Sequence, residues 1–179
     1  MYPKERELIE HYNKTLEYFS PVTYATIGQI LNLANVDLEN KEVHDLGCGT
    51  GWFTDWARSI YHADVVGVDY ADQRVLKAER HYPLSRYVCD DVYQYVEELP
   101  DNKSPNTFFT AWDVLEHLED PLRLITACRQ RGTLIATIPK EMPYHAHICV
   151  YKDDNIRTLG MHELAELYLQ RDYYVAKWI

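Results

Sequence analysis

The sequence lacks the features of a membrane or secreted protein. Its apolar runs are only a few residues long, far short of the roughly 20 residues that cross a bilayer as a helix, so no transmembrane helix is predicted. The first residues are charged and no apolar stretch follows them, which predicts no secretory signal. The four cysteines show neither a C-x-x-C pair nor the spacing of a disulfide framework. We therefore expect a reducing, cytoplasmic setting.

Positive charge is also scarce. The chain has 18 Lys and Arg against 28 Asp and Glu, a formal net charge of -10, and no run of basic residues. A surface this acidic repels the phosphate backbone that nucleic-acid-binding proteins must attract. These counts argue against nucleic acid as the substrate, although a local basic patch can coexist with an acidic whole. We expect a small-molecule acceptor and no membrane partner. The counts predict no oligomeric state.

A length of 179 residues is enough for one well-packed domain and short for two. We therefore predict a single domain over residues 1–179. Within it we expect an N-terminal helical cap (1–35), a ligand-binding core (40–140) and a substrate-side loop, helix and final strand (141–179).

Glycine is scarce as well, yet three of the seven glycines lie between Gly47 and Gly51. They follow the predicted short strand 43–46, and their spacing allows a tight strand-to-helix turn against which a ligand can lie. The carboxylate of Asp45, two residues before the first glycine, would repel a phosphate but would accept a hydrogen bond from an ammonium group. The pattern therefore disfavours NAD and favours a cationic nucleotide that carries an amino acid, such as S-adenosylmethionine.

The run from Asp45 to Gly51 (DLGCGTG) resembles, without a mismatch, the first motif of the class I S-adenosylmethionine-dependent methyltransferases. A second run, Asp113 to Leu118 (DVLEHL), resembles a segment of the ubiquinone-type O-methyltransferase branch of that family. The resemblance covers roughly residues 40 to 140. It implies a Rossmann-like fold, S-adenosyl-L-methionine as cofactor, and a cofactor site that includes the first motif, of which we predict these residues: Asp45, Gly47, Cys48, Gly49 and Gly51.

Predicted strands and helices alternate through the middle of the chain. An apolar run without polar alternation predicts a buried strand at 65–68, and further strands are predicted at 86–89, 107–112 and 132–138. Helical spacing predicts helices at 52–61, 71–82, 92–99 and 121–131, after two N-terminal helices within 4–33. This order predicts an α/β fold with a doubly wound, mainly parallel sheet and helices on both faces.

The C-terminal part is less regular. Residues 139–155 are predicted to form a loop, Thr158 to cap a helix that ends near Arg171, and residues 173–179 to form a final strand. The family that the chain resembles closes its sheet with an antiparallel hairpin. Two explanations stay open: the chain lacks the last strand of the family, or one of the predicted strands is assigned wrongly.

Acids follow several of the predicted strands, and open parallel sheets bind ligands beyond the carboxyl ends of their strands. Asp69, about 20 residues after the glycines, is predicted to hold the ribose hydroxyls. The resemblance supports this and implies Tyr70 against the adenine. It also implies an acid that accepts a hydrogen bond from the adenine amino group. Asp90 fits that position better, whereas Asp91 could instead cap the next helix, and we keep both as candidates.

Trp112, at the end of the fourth strand, is the last predicted cofactor residue. Its indole could lie over the sulfonium as a cation–π contact, or it could be ordinary core packing. Both alternatives stay open.

Glu116, His117 and His145 are the candidate catalytic residues. Methyl transfer needs mainly alignment and exclusion of water, but a phenol or amine must lose a proton, which a histidine could accept. If the segment is helical, Asp113, Glu116 and His117 share one face and could hold Mg²⁺, Mn²⁺ or Zn²⁺, with His145 or His147 as a further ligand. Alternatively, Glu116 and His117 only begin a helix. The predicted site includes no metal.

We therefore predict a methyltransferase that moves a methyl group from S-adenosylmethionine to an oxygen or nitrogen of a small molecule. One alternative is a protein that binds S-adenosylmethionine without transferring the methyl group, as a regulator or partner subunit. A second is a nicotinamide-dependent oxidoreductase on the same general fold, against which the alternating glycines and Asp45 argue.

Overall fold

The computed structural model describes residues 24–141, 147–160, 166–170 and 173–179. Within these ranges, seven strands form one sheet: β1 (Glu42–Leu46), β2 (Asp64–Asp69), β3 (Arg86–Cys89), β4 (Thr107–Trp112), β5 (Thr133–Pro139), β6 (Glu166–Gln170) and β7 (Tyr173–Trp178). Their order across the sheet is β3-β2-β1-β4-β5-β7-β6. The strands β1 to β5 are parallel, and β7 runs antiparallel to both of its neighbours.

Helices connect the parallel strands. The described helices are α1 (Tyr24–Leu33), α2 (Trp52–Tyr61), α3 (Asp72–His81), α4 (Val92–Glu98) and α5 (Pro121–Arg129), with 3₁₀ turns at Leu115–His117 and Ile156–Leu159. None of the helices in these ranges is long and apolar enough to span a membrane.

Apolar side chains cover both faces of the sheet, as a parallel sheet requires. On one face, α1 and α2 pack against the sheet, with Ile27 and Phe53 in the same cluster as Val43. On the other face, α4 and α5 bury their apolar sides around Phe109 and Leu134. Because side chains alternate along a strand, the two clusters take alternate residues of each strand.

The sheet reverses its order beside β1, which lies between β2 and β4. The chain leaves β1 toward β2 on one side and later returns to β4 on the other. A crevice beyond the carboxyl ends of the strands at such a reversal is where open α/β sheets bind ligands. The fold therefore places the glycine turn, which follows β1, at the expected binding edge.

The predicted fold class is confirmed, and the predicted strands 86–89 and 107–112 have the observed bounds. The predicted helix 52–61 also coincides with α2, and the other predicted helices of the core end within two residues of the observed ends. Of the predicted N-terminal helices, the part before residue 24 lies outside the described residues, and Tyr24–Leu33 is helical.

The predicted helix from Thr158 to Arg171 is wrong. Ile156–Leu159 is a short 3₁₀ turn that ends at Gly160 in the left-handed conformation, and Glu166–Gln170 is β6. β6 pairs with β7 in an antiparallel hairpin, so the sheet includes a closing hairpin and the chain does not lack its last strand. In sequence, ELYLQ alternates at period two as well as fitting a helix, and pairing with β7 decides between them.

Candidate functional site

The glycine turn between β1 and α2 has an unusual backbone. Its glycines lie in the left-handed region, with φ values of 69° at Gly47, 56° at Gly49 and 81° at Gly51. Glycine adopts this region without the steric penalty that a Cβ imposes. The N–H groups of Gly47 and Cys48 both donate to the carbonyl of Val68, at 2.8 and 2.9 Å. These bonds hold the turn against the end of β2.

The three glycines have different surroundings. A Cβ at Gly47 would lie 2.5 Å from Cγ2 of Val114, and a Cβ at Gly51 would lie 2.5 Å from the hydroxyl oxygen of Tyr87. A Cβ at Gly49 would meet nothing closer than Nη1 of Arg74, at 3.7 Å. Packing therefore requires glycine at the first and third positions, whereas Gly49 leaves open backbone against which a ligand can lie.

Asp45 lies beneath the turn and is 1% exposed. Its carboxylate accepts hydrogen bonds from the hydroxyls of Thr54, at 2.6 Å, and Thr110, at 3.2 Å. Burial raises the pKa of Asp45 to about 7, although the two hydroxyl donors act in the opposite direction. The direct contact with an ammonium group that the sequence suggests stays a prediction, which the burial of Asp45 does not favour. Asp45 supports the turn from below.

Asp69 ends β2 and lies beside the open glycine. Its Oδ2 accepts a hydrogen bond from the N–H of Gly49 at 2.9 Å, and its Oδ1 accepts one from the N–H of Ala71 at 2.8 Å. Burial raises the pKa of Asp69, while these backbone donors and Arg74 lower it. The two bonds fix the carboxylate and leave each oxygen able to accept a further bond. Tyr70 follows it, half-buried. The ribose and adenine roles of these residues stay predictions.

Asp90 and Asp91 differ in what their carboxylates do. Asp91 accepts hydrogen bonds from the N–H groups of Tyr93 and Gln94, at 2.8 and 3.2 Å, so the alternative that it caps α4 is confirmed. The N–H of Asp90 donates to the carbonyl of Asp69 at 3.1 Å, which places Asp90 directly beside the acid of β2. Of the two candidates for the adenine amino group, Asp90 therefore has the better position.

Trp112 packs in the core. Its ring lies edge-on to Phe53 with a centroid distance of 5.0 Å, in the apolar cluster between the sheet and the helices α1 and α2. The structure thus shows the core-packing alternative, and the contact with a sulfonium stays a prediction. The indole nitrogen of Trp112 is buried and has no hydrogen-bond partner in the described ranges.

The segment after β4 is not the regular helix that would give Asp113 and His117 a common face. Asp113 has a φ of 56°, and only Leu115–His117 forms a 3₁₀ turn. Asp113 accepts a hydrogen bond from the hydroxyl of Thr137 at 2.8 Å, which holds it toward β5. Val114, which follows Asp113, packs on Gly47, so the segment adjoins the glycine turn.

Glu116 and His117 instead meet His147. The backbone carbonyl of Glu116 accepts hydrogen bonds from the N–H groups of Ile148 and Cys149, at 2.8 and 3.1 Å. These bonds fix the later segment beside the 3₁₀ turn, and one ligand atom from each of Glu116, His117 and His147 lies within 4.8 Å of the others. The third predicted catalytic residue, His145, lies outside the described residues.

Glu116 is the unusual member of this cluster. It is 1% exposed, and neither of its carboxylate oxygens has a hydrogen-bond partner in the described part of the chain. Its Oε1 lies 3.9 Å from Nε2 of His117 and 3.9 Å from Nε2 of His147, too far for a hydrogen bond. Burial raises the pKa of Glu116 well above its ordinary value, and Asp113 adds to this effect. Buried polar atoms are nearly always paired, so an unpaired buried carboxylate requires an explanation.

Sequence reasoning does not single out Thr54, Thr110 or Arg74. A signal exists for Thr110, because the parallel pairing of β1 and β4 sets it opposite Asp45. The position of Thr54 depends on Gly67, where a Cβ would lie 2.7 Å from the hydroxyl oxygen of Thr54. Such a contact between a helix and a strand has no signature in local spacing.

The fold and its binding edge define a class of protein. A glycine turn after the first strand, with an acid at the end of the second, marks a Rossmann-like nucleotide-binding protein. A family model described as a methyltransferase domain matches residues 16–133, more than half of the chain. The chain therefore belongs to this family, among the class I S-adenosylmethionine-dependent methyltransferases.

The relatives agree with this assignment. A ubiquinone biosynthesis O-methyltransferase of Neisseria meningitidis serogroup C (strain 053442) is 32% identical over 146 residues, covering 76% of this chain and 58% of that protein. One of Xanthomonas campestris pv. campestris (strain B100) is 34% identical over 116 residues, covering 62% and 48%. The chain thus spans about half the length of the curated relatives it matches.

A solved structure shows the same fold. The magnesium protoporphyrin IX methyltransferase of Synechocystis PCC 6803 with bound SAM matches with a TM-score of 0.65 at 17% identity. The match covers 99% of this chain and 96% of that one. At this identity the similarity concerns the architecture alone.

Proposed function

We propose that this chain binds S-adenosylmethionine at the carboxyl edge of the sheet and transfers the methyl group to an oxygen or nitrogen atom of a small molecule. The observation that carries the proposal is the open backbone at Gly49 beside the fixed carboxylate of Asp69. Family membership supports methyl transfer. The net charge of -10 supports a small acceptor over nucleic acid. The names of the ubiquinone-type relatives favour oxygen over nitrogen.

Different residues at the carboxyl edge of the sheet are proposed to bind different parts of the cofactor. Asp69 is proposed to accept hydrogen bonds from the ribose hydroxyls, since its oxygens are oriented by two backbone donors. Asp90 is proposed to accept one from the adenine amino group, with Tyr70 against the ring. Cys48 contributes its backbone, because its side chain is buried. Asp45 acts as a positioning residue that fixes the turn.

The acceptor side lies toward the segment 113–117. S-adenosylmethionine, when bound, supplies a methyl group on a sulfonium, which is already activated toward a nucleophile. Transfer breaks a carbon–sulfur bond and forms a bond to the acceptor, so the acceptor must give up one proton. Glu116 and His117 adjoin the turn through the contact of Val114 with Gly47, and we assign them to this side. The role of His145 stays a prediction of the same kind.

Calorimetric titration with S-adenosylmethionine and S-adenosylhomocysteine tests the cofactor site. We expect micromolar binding that Asp69→Asn weakens roughly tenfold or more, because a hydrogen bond to a charged group contributes about 1.5–3 kcal/mol. Asp64→Asn is the matched control, since Asp64 begins the same strand at the opposite edge of the sheet and is exposed. Absence of binding, or equal losses in both variants, would contradict the proposed site.

Turnover is tested separately. Methyl transfer from labelled S-adenosylmethionine to a panel of phenols, catechols and amines should give a methylated product with at least one compound class. Cofactor binding with no transfer to any of them would favour the alternative of a binding protein that acts in regulation or as a partner subunit.

A further inference from the structure

We infer that Tyr87 is a positioning residue for the cofactor, and that its hydroxyl fixes the last glycine of the turn against β3. This role rests on the proposed function, because it is a role in cofactor binding. Tyr87 lies outside the glycine motif and is not one of the acids at the strand ends.

The ring of Tyr87 lies across β2 and reaches the glycine turn. In the parallel pairing of β2 with β3, Tyr87 stands opposite Gly67. A Cβ at Gly67 would lie 2.8 Å from Cδ1 of the ring, and a Cβ at Gly51 would lie 2.7 Å from Cε1. Two glycines, one in β2 and one in the turn, therefore leave the space that the ring occupies.

The hydroxyl of Tyr87 makes the link to the turn. It donates to the carbonyl of Gly51 at 3.2 Å, and the same carbonyl accepts a hydrogen bond from the N–H of Asp55 at 3.1 Å. Burial raises the pKa of Tyr87, although the hydroxyl of Ser85 acts in the opposite direction. The hydroxyl of Tyr87 therefore keeps its proton at neutral pH and remains a donor.

This bond acts on the last residue of the turn. Strand β2 holds the earlier residues through the carbonyl of Val68 and the carboxylate of Asp69. Gly51 is the N-cap of α2, has no side chain of its own, and its N–H donates to the carbonyl of Cys48 within the turn. Glycine loses more conformational freedom on ordering than any other residue. The hydroxyl of Tyr87 thus gives this glycine a link to a neighbouring strand.

The open residue of the turn lies between these two attachments. Gly49, against which the cofactor is proposed to lie, is three residues after the bonds to β2 begin and two before Gly51. Strand β3 ends directly before Asp90, the proposed adenine acid. Tyr87 therefore joins the strand that leads to the adenine contact to the turn that borders the ribose. Parts that are already fixed need no ordering when the ligand binds, which increases affinity.

Tyr87→Phe tests this role, since it keeps the ring and removes the hydroxyl. Calorimetric titration with S-adenosylmethionine and S-adenosylhomocysteine is made at a temperature where the variant is folded. We expect an affinity about three- to tenfold lower than that of the parent, the effect of one lost hydrogen bond. The variant Tyr87→4-aminophenylalanine keeps a donor at the same ring position and should restore most of the affinity.

Tyr95→Phe is the matched control. Tyr95 is half-buried like Tyr87, and its hydroxyl lies 2.8 Å from Nδ1 of His44, on the other face of the sheet. The control should lower the free energy of unfolding about as much as Tyr87→Phe does, and it should leave cofactor affinity unchanged. If Tyr87 acted through stability alone, the two variants would bind the cofactor equally well.

Amide hydrogen exchange measures the restraint of the turn without cofactor. The N–H groups of Gly49 and Gly51 are both hydrogen-bonded, to the carboxylate of Asp69 and the carbonyl of Cys48. We expect them to exchange about three- to tenfold faster in Tyr87→Phe than in the parent, because exchange follows local opening. Their exchange in Tyr95→Phe should match that of the parent.

The outcomes also separate this role from the proposed function. Parent affinity in Tyr87→Phe, equal losses of affinity in the two variants, or unchanged exchange of both glycines would overturn the role of Tyr87. If the parent binds the cofactor in each of these cases, the proposed function stands. No binding by the parent, together with faster exchange of the two glycines in Tyr87→Phe, would refute the proposed cofactor site instead.

Discussion

Replacing the turn glycines one at a time with alanine separates the glycines that the fold requires from the one that the ligand requires. At Gly49 a Cβ has no close neighbour, so the main effect on stability is backbone strain at a φ of 56°. For an L-residue in the left-handed region this strain is about 1–2 kcal/mol. For a chain of this size, that lowers the melting temperature by roughly 2–8 °C.

At Gly51 the same strain is joined by a clash. The new Cβ would lie 2.5 Å from the hydroxyl oxygen of Tyr87 and 2.7 Å from two of its ring carbons. The ring cannot easily move away, because Tyr87 belongs to β3 and its hydroxyl donates to the carbonyl of Gly51 at 3.2 Å. Overpacking adds about 1–3 kcal/mol, for a total of about 2–5 kcal/mol.

Urea unfolding gives the two stabilities, and calorimetry with S-adenosylmethionine gives the two affinities at a temperature where both variants are folded. Gly49→Ala should keep most of its stability and lose cofactor affinity about tenfold or more, because its Cβ enters the space assigned to the ligand. Gly51→Ala should lose mainly stability. The reasoning would be refuted if Gly49→Ala were as unstable as Gly51→Ala, or if it bound the cofactor with the affinity of the parent.

Further predictions concern the buried acid and the capping acid. The pKa of Asp45 is raised from 3.8 to about 7 in the folded protein, so the stability tied to its protonated form is complete below pH 3.8 and is lost as the pH rises to about 7. Asp45→Asn should remove this pH-dependent loss in the free energy of unfolding, which amounts to roughly 4 kcal/mol between pH 3.8 and about 7. Urea unfolding at a series of pH values measures it. Parallel plots of unfolding free energy against pH for parent and variant would contradict the assignment. Asp91→Ala should lower the free energy of unfolding by about 1 kcal/mol and leave cofactor affinity unchanged, since Asp91 caps α4. Asp90→Ala should weaken cofactor binding, unlike Asp91→Ala, and the same two measurements made on both variants show which of the two acids contacts the cofactor.

The core of the fold is predictable because its signals are local. Strand β4 consists of aromatic residues, alanine and threonine, residue types common in strands apart from the alanine, and the turn from Gly47 to Gly51 has three glycines at positive φ. Asp91 precedes the helix it caps, so its role is also visible in the sequence. In each of these cases, the residues that decide the structure lie within a few positions of one another.

The remaining features depend on contacts between distant parts of the chain. Strand β6 exists because β7 offers it an edge to pair with, and five residues of sequence do not distinguish that strand from a helix. His147 reaches Glu116 through backbone hydrogen bonds of the residues beside it, and no spacing rule predicts such bonds. The burial of Asp45 is partly predictable from the sequence, because side-chain alternation along β1 puts Asp45 on the same face as buried Val43.

Asp45 and Glu116 show that two equally buried carboxyls can differ in their polar partners. Each carboxyl is 1% exposed, and burial raises the pKa of both. Asp45 accepts bonds from two hydroxyls that the fold supplies, so its environment is complete without a ligand. Glu116 has no such donor in the described ranges, and two imidazoles lie close to it at a distance too long to hydrogen-bond. Because the two acids share their burial, the difference lies in their partners: the polar environment of Asp45 is complete, and that of Glu116 within the described ranges is not.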